Sequence, residues 1–134
     1  MYLVDSNVWL SVLLAEDRAA ESKKFLQSVP AEQLAITEFS LYSIGIILTR
    51  LKKSRVFVDF ITDTLEDSAV QRIRLELDDL KKLPRIQAQF NLDFDDAYQY
   101  LAAQKHDLIL VSYDHNFDRV VRRRKTPAEL MRSS

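Results

Sequence analysis

Five acidic residues fall where a parallel sheet would gather them. Asp5 directly follows the apolar run Tyr2-Leu3-Val4, and Asp114 stands just after Leu108–Ser112. Glu38 follows Leu34-Ala35-Ile36-Thr37, and Asp95 with Asp96 opens another helical stretch. In an open parallel sheet ligands bind beyond the carboxyl ends of the strands, the edge where the following helices also begin. Two unit charges ~4 Å apart repel by about 4 kcal/mol at an effective dielectric near 20. A cluster of this kind either retains protons or surrounds a divalent cation. All-oxygen ligands with Ser and Asn nearby, and no Cys, suit Mg²⁺ or Mn²⁺ rather than zinc. The matching chemistry is displacement at phosphorus, with water activated and the developing oxyanions stabilised. For any single acid the competing reading is helix capping or dipole complementation.

Composition narrows the classes further. With 134 residues, 47% hydrophobic and 29% charged, the chain reads as one globular domain over 1–130 with a frayed end at 131–134. Zero Cys excludes disulfide frameworks and thiolate zinc sites, and two His leave little imidazole metal chemistry. A single Gly excludes glycine-rich phosphate cradles. Nineteen Lys and Arg against twenty Asp and Glu give a net charge of −1, so attraction to nucleic acid must come from local patches. No run reaches the ~18 apolar residues of a membrane span. The start lacks a basic segment leading into an apolar one, so a cytoplasmic location and no membrane partner are expected.

The elements that must position the acids follow from periodicity. Short apolar runs predict strands at 2–4, 34–36 and 108–112, and the alternation Val70–Leu75 predicts a weaker one. Helical spacing predicts helices over 7–15, 17–29, 38–51, 54–65, 76–91 and 93–106, with Thr37 as a cap and Trp9 in the core. Strands separated by helices imply βαβ units and a mostly parallel sheet.

Three strings together carry a family resemblance. Tyr2-Leu3-Val4-Asp5-Ser6-Asn7-Val8-Trp9-Leu10 resembles the opening of a PIN domain, a family whose members include VapC-type toxin ribonucleases. Phe94-Asp95-Asp96-Ala97-Tyr98-Gln99-Tyr100-Leu101-Ala102-Ala103 resembles the family's third motif, and Leu110-Val111-Ser112-Tyr113-Asp114-His115-Asn116-Phe117 its last. The resemblance implies a three-layer α/β/α fold with a central, mostly parallel sheet and an acidic Mg²⁺ or Mn²⁺ site that cleaves single-stranded RNA. It makes Asp5, Asp96 and Asp114 the metal-binding carboxylates. Asn7 would orient Asp5, Asp95 would support Asp96, Ser112 matches the family's Thr or Ser, and Asn116 stands where a further acid is frequent. The family's second acid, a Glu within the helix after the second strand, is replaced here by Ser43. Glu38 lies five residues earlier, about 140° past a full turn and ~7.5 Å along the axis. It is expected as a catalytic acid reaching in from the strand end, with Ser43 as a polar contributor.

Local positive charge that could hold RNA gathers at Arg50, Lys52, Lys53 and Arg55, and at Arg119, Arg122, Arg123, Arg124 and Lys125. The second cluster is expected to contact substrate, against the alternative of a solvated face. Tyr113 and His115 are candidates for base stacking, whereas Tyr98 reads better as a packing contact. The resemblance also implies a small antitoxin that covers the acidic site, in a type II toxin–antitoxin pair, and a homodimer. Two readings compete with a nuclease. A phosphatase using Asp5 as nucleophile would need a second Asp where Asn7 stands. A catalytically degenerate PIN-like module would bind RNA or protein without cutting.

Overall fold

Four short runs form a sheet whose neighbouring strands are all parallel: β1 (Tyr2–Val4), β2 (Leu34–Thr37), β3 (Gln71–Ile73) and β4 (Ile109–Val111), in the order β3-β2-β1-β4. They are seen in a computed structural model that describes residues 1–120 and 123–132. The connecting helices are α1 (Ser6–Leu13), α2 (Ala19–Ser28), α3 (Glu38–Arg50), α4 (Ser54–Phe60), α5 (Leu77–Leu80), α6 (Leu83–Phe90), α7 (Phe94–Lys105) and α8 (Pro127–Arg132). None is long and apolar enough to cross a membrane.

Alternation along the strands builds two cores, one on each face. Leu3, Ala35 and Leu110 face α7 through Ala97, Leu101 and Ala102, with Leu83 of α6 beside them. Their strand neighbours Val4, Ile36 and Val111 point the other way, onto Val8, Phe25, Leu41, Ile44 and Phe60 of α1 to α4. Burial on both faces explains why β1 and β4 read as continuous apolar runs rather than alternating ones. The result is the expected three-layer α/β/α arrangement.

The register decides what meets at the rim. Val4 pairs with Val111, so Asp5 and Ser112 emerge side by side, and the Asp5 amide donates to the Val111 carbonyl at 2.9 Å. Thr37 pairs with Ile73, which puts Glu38 and Arg74 on the same edge one strand further along. The strand order reverses between β1 and β4, the point where open sheets form a crevice.

Several local expectations give way. The helix predicted over 76–91 is two helices, because Pro84 fits a first turn but not a helix interior. The helix predicted over 54–65 is regular only to Phe60 and continues as a wider π-type turn, Ile61–Glu66. Of the segment 131–134, Met131 and Arg132 belong to α8, while Ser133 and Ser134 lie outside the described residues. Lys125 extends the sheet beyond β4: its amide donates to Leu110 and its carbonyl accepts from Ser112. Gly45 lies in the middle of α3, where the Phe57 ring packs so close that a Cβ would come within 2.9 Å of it.

Candidate active site

Asp5 is the N-cap of α1, and its side chain is tied down on both oxygens. Oδ1 accepts from the Ser6 amide at 2.8 Å and from Gln99 Nε2 at 3.1 Å. Oδ2 accepts from Ser112 Oγ at 2.8 Å, with Asn7 Nδ2 at the outer limit of 3.5 Å. Asn7 also donates to Ser112 Oγ and accepts the Tyr113 amide, so it locks the β1 and β4 ends together. Asp114 caps the short 3-10 turn His115–Arg119 and accepts the Asn116 amide at 2.8 Å. From that turn Asn116 Nδ2 reaches across to Asp96 Oδ2 at 3.2 Å. Asp96 is presented from the first turn of α7, where the helix dipole favours an anion.

These groups meet in a cavity of about 140 Å³ lined by Asp5, Ser6, Asn7, Phe39, Ser40, Ser43, Asp95, Asp96, Gln99 and Asp114. Burial pushes the Asp5 carboxyl above its ordinary value, against hydrogen bonds from Ser112, Ser6 and Gln99, and Asp114 adds to the rise. Asp96 is pushed up to about 7, by burial first, then by the charges of Asp114 and Asp95, while Asn116 opposes the shift. Among the described residues the lining therefore offers four carboxylates, only oxygen and amide donors, and no cationic side chain. That donor set fits a hard divalent cation, which would supply the missing countercharge. Asp96 also belongs to a shallower group with Asp93 and Asp95, whose carboxylate oxygens lie within 4.8 Å of one another. Asp93 and Asp95 are exposed at a helix start, where acids are favoured without any ion.

The sequence patterns of known families give one match that decides the kinship: the PIN domain, over residues 2–123. The chain belongs to the PIN domain family. No curated protein sequence matches this PIN domain significantly. Solved structures do resemble it. One is a toxin–antitoxin complex from Klebsiella pneumoniae, with TM-score 0.74 and 20% identity over 95% of this chain and 98% of that one. Another is Mycobacterium tuberculosis VapC20, described as a sarcin–ricin loop cleaving toxin, with TM-score 0.77 and 16% identity over 88% and 93%. A Pyrobaculum aerophilum protein matches with TM-score 0.69 and 22% identity over 98% and 93%.

The expected site residues sort themselves by position in the PIN domain. Asp5, Asn7, Ser43, Asp95, Asp96 and Asp114 line the cavity, while Ser112 and Asn116 hold its carboxylates from outside. Glu38 is not brought there. Its carboxylate lies 3.8 Å from Arg72 Nε, and it lines a separate depression with Arg74, Glu76 and Tyr98. The reason is rotational: Ser40 and Ser43 occupy the face of α3 turned to the cavity, and Glu38 faces β3 instead.

The basic cluster is split between the fold and the surface. Arg124 is not free for substrate, since it donates to the Ser112 carbonyl at 3.1 Å, pairs with Asp118 and meets His115 Nδ1 at 3.0 Å. Arg119 donates to the Asn91 carbonyl, Arg123 is exposed, and Arg122 lies outside the described residues. Tyr113, read as a stacking candidate, shares a hydrogen bond with Ser22 and lies under Arg18. Tyr98 is buried and accepts the Leu75 amide, in keeping with packing. One contributor escaped the sequence reading. Gln99 is 2% exposed and ties Thr37, Ser40 and Asp5 together, accepting from the first and donating to the others. Its signal was a lone amide among Ala and Tyr, three residues beyond Asp96 on one helical face.

Proposed function

We propose that this PIN domain is a divalent-metal-dependent endoribonuclease cutting single-stranded RNA, and the toxin of a type II toxin–antitoxin pair. The observation that carries the reading is the convergence of Asp5, Asp96 and Asp114, from three separate segments, on one polar cavity without a countercharge among the described residues. The similarity to a toxin–antitoxin complex and to a toxin that cleaves the sarcin–ricin loop supports the biological role. The partners it calls for are an RNA, a small antitoxin and a second copy of the chain, all in the cytoplasm. Mg²⁺ or Mn²⁺ at the site would lower the pKa of a water nucleophile and offset charge on the phosphate. The protein's part is orientation. Ser112 and Gln99 fix the Asp5 carboxylate in one rotamer, and Asn116 holds Asp96 toward the Asp114 side of the cavity. Exposed Arg123 and Lys125 are the remaining described candidates of the basic cluster for phosphate contacts.

Purified protein incubated with unstructured RNA should cleave it with Mg²⁺ or Mn²⁺ and not with EDTA. Asp5→Asn, Asp96→Asn and Asp114→Asn should each abolish cleavage while circular dichroism melts stay cooperative. Full activity in Asp5→Asn and Asp114→Asn would defeat the reading. A second reading has its own observation: Asp5 already accepts three well-formed hydrogen bonds, and Ser43 stands where the family places a Glu. A degenerate, non-cutting module would then show RNA binding without any metal-dependent cleavage.

A further inference from the structure

Three aromatic rings run from the core to the lip of the acidic cavity. Tyr98 is innermost, fixed by its hydroxyl on the Leu75 amide at 2.9 Å. Phe39 lies 5.3 Å from it between ring centroids, tilted by 34°, and also lines the cavity. Phe94 comes last, 5.9 Å from Phe39 at 42°, and is left 47% exposed. An apolar ring half in water, set in the chain between Asp93 and the pair Asp95 and Asp96, is unlike its neighbours. The capping of α7 does not require it, since Phe94 is the first helical residue and contributes no side-chain cap. Its backing does give it a fixed position. The row ends in a buried hydroxyl contact, so the outer ring is backed by tilted ring contacts that run into the core.

We propose that Phe94, backed by Phe39, is the platform on which an unpaired base of the substrate stacks beside the scissile phosphate. The inference rests on the ribonuclease reading and adds to it the residue that holds the strand. Charge favours this kind of contact here. Asp93, Asp95 and Asp96 crowd the same helix start and repel phosphates, so affinity at this lip must come from something other than backbone charge. A π-face accepts any base without hydrogen-bond readout, and it accepts only a base freed from a duplex. Phe94 reaches the cavity through Phe39, which lines it, so a strand whose phosphate is held there by a cation would bring an adjoining base to the ring. The same contact explains why unpaired RNA would be preferred over a duplex. Its bases would already be stacked on each other.

The test uses the full chain as wild type, Phe94→Leu and Phe94→Trp. Single-stranded RNA oligonucleotides spanning a site cut by the wild type are compared with versions carrying an abasic ribose at each flanking position. Phe94→Leu should raise KM about 10-fold with little change in kcat, and Phe94→Trp should restore it. An abasic ribose at one flanking position should raise the wild-type KM similarly and add nothing further in Phe94→Leu. A merely structural role would lower the melting temperature and give additive abasic effects, which overturns the proposal. Unchanged KM in Phe94→Leu also overturns it. If the wild type cuts no RNA, the ribonuclease reading fails by itself. Fluorescence anisotropy of a labelled single strand then decides Phe94 separately: weaker binding by Phe94→Leu, restored by Phe94→Trp, supports the platform, and equal binding overturns it.

Discussion

Asp96 carries opposing demands that make it a reporter of the site. Burial, Asp114 and Asp95 raise its pKa from 3.8 to about 7, so the folded protein without a cation holds a proton that the unfolded chain releases. Stability from that proton is complete below the unfolded pKa and is lost as pH rises through the folded one. In EDTA the melting temperature should therefore fall between about pH 4 and pH 7. Asp5 is shifted in the same direction and adds to the slope. Asp96→Asn should flatten the profile, and Mg²⁺ at neutral pH should restore stability in the wild type, since the cation replaces the proton. A flat wild-type profile, followed by thermal melts across pH, would contradict this. Gln99 makes the second case at this scale. Gln99→Leu leaves Thr37, Ser40 and Asp5 each short of a buried partner, and should cost on the order of 1–3 kcal/mol in urea denaturation. It should also reduce cleavage, because Asp5 then loses one of the donors that orient it.

The elements show where a chain with one glycine accepts strain. Ala15, Lys52, Asn91 and Asp107 all take positive φ between 51° and 59° near helix ends, where glycine or asparagine is the usual choice. Asn91 fits that preference, and Ala15 does not. Ala15→Gly should stabilise the protein by roughly 0.5–1 kcal/mol, the relief of the left-handed strain outweighing the added freedom of the unfolded chain. Chemical denaturation of the single variant checks it. The sheet and its helices were legible because β1, β2 and β4 fall in apolar runs followed by cap residues and the helices carry apolar residues at helical spacing, whereas β3, Gln71–Ile73, showed only a weak alternation. The break at Pro84 was written in the sequence and was overridden by the apolar spacing on either side. Helix α8 was missed because six residues give too little periodicity to read. Asp5, Asp96 and Asp114 were legible as strand-end and helix-start acids. The turn of α3 was harder: five residues separate Glu38 from Ser43, and only the packed helix shows which of the two faces the cavity. Gln99 was hidden because a buried amide is recognised by its partners, and those come from β2, α3 and the end of β1.

At the scale of the molecule, charge limits how RNA could be held. The net charge is −1, and the expected basic face is partly committed within the fold: Arg124 to Ser112, Asp118 and His115, and Arg119 to Asn91. Each phosphate neutralised on a single strand contributes a slope of about −0.7 in log K against log salt. Four arginines acting together would give roughly −2.8. With two of them engaged internally, RNA affinity should instead fall with a slope near −1, about one to two phosphates' worth. Binding of a labelled single strand, measured across a salt series, separates the two cases. A slope near −2.8 would mean that Arg124 leaves Ser112 on binding or that exposed Lys125, Arg50, Lys52, Lys53 and Arg55 take part, and only in the first case should Arg124→Gln flatten it while leaving the unbound protein less stable. A shallow slope leaves stacking at Phe94 as the larger source of affinity, so Phe94→Leu should weaken binding equally at low and high salt.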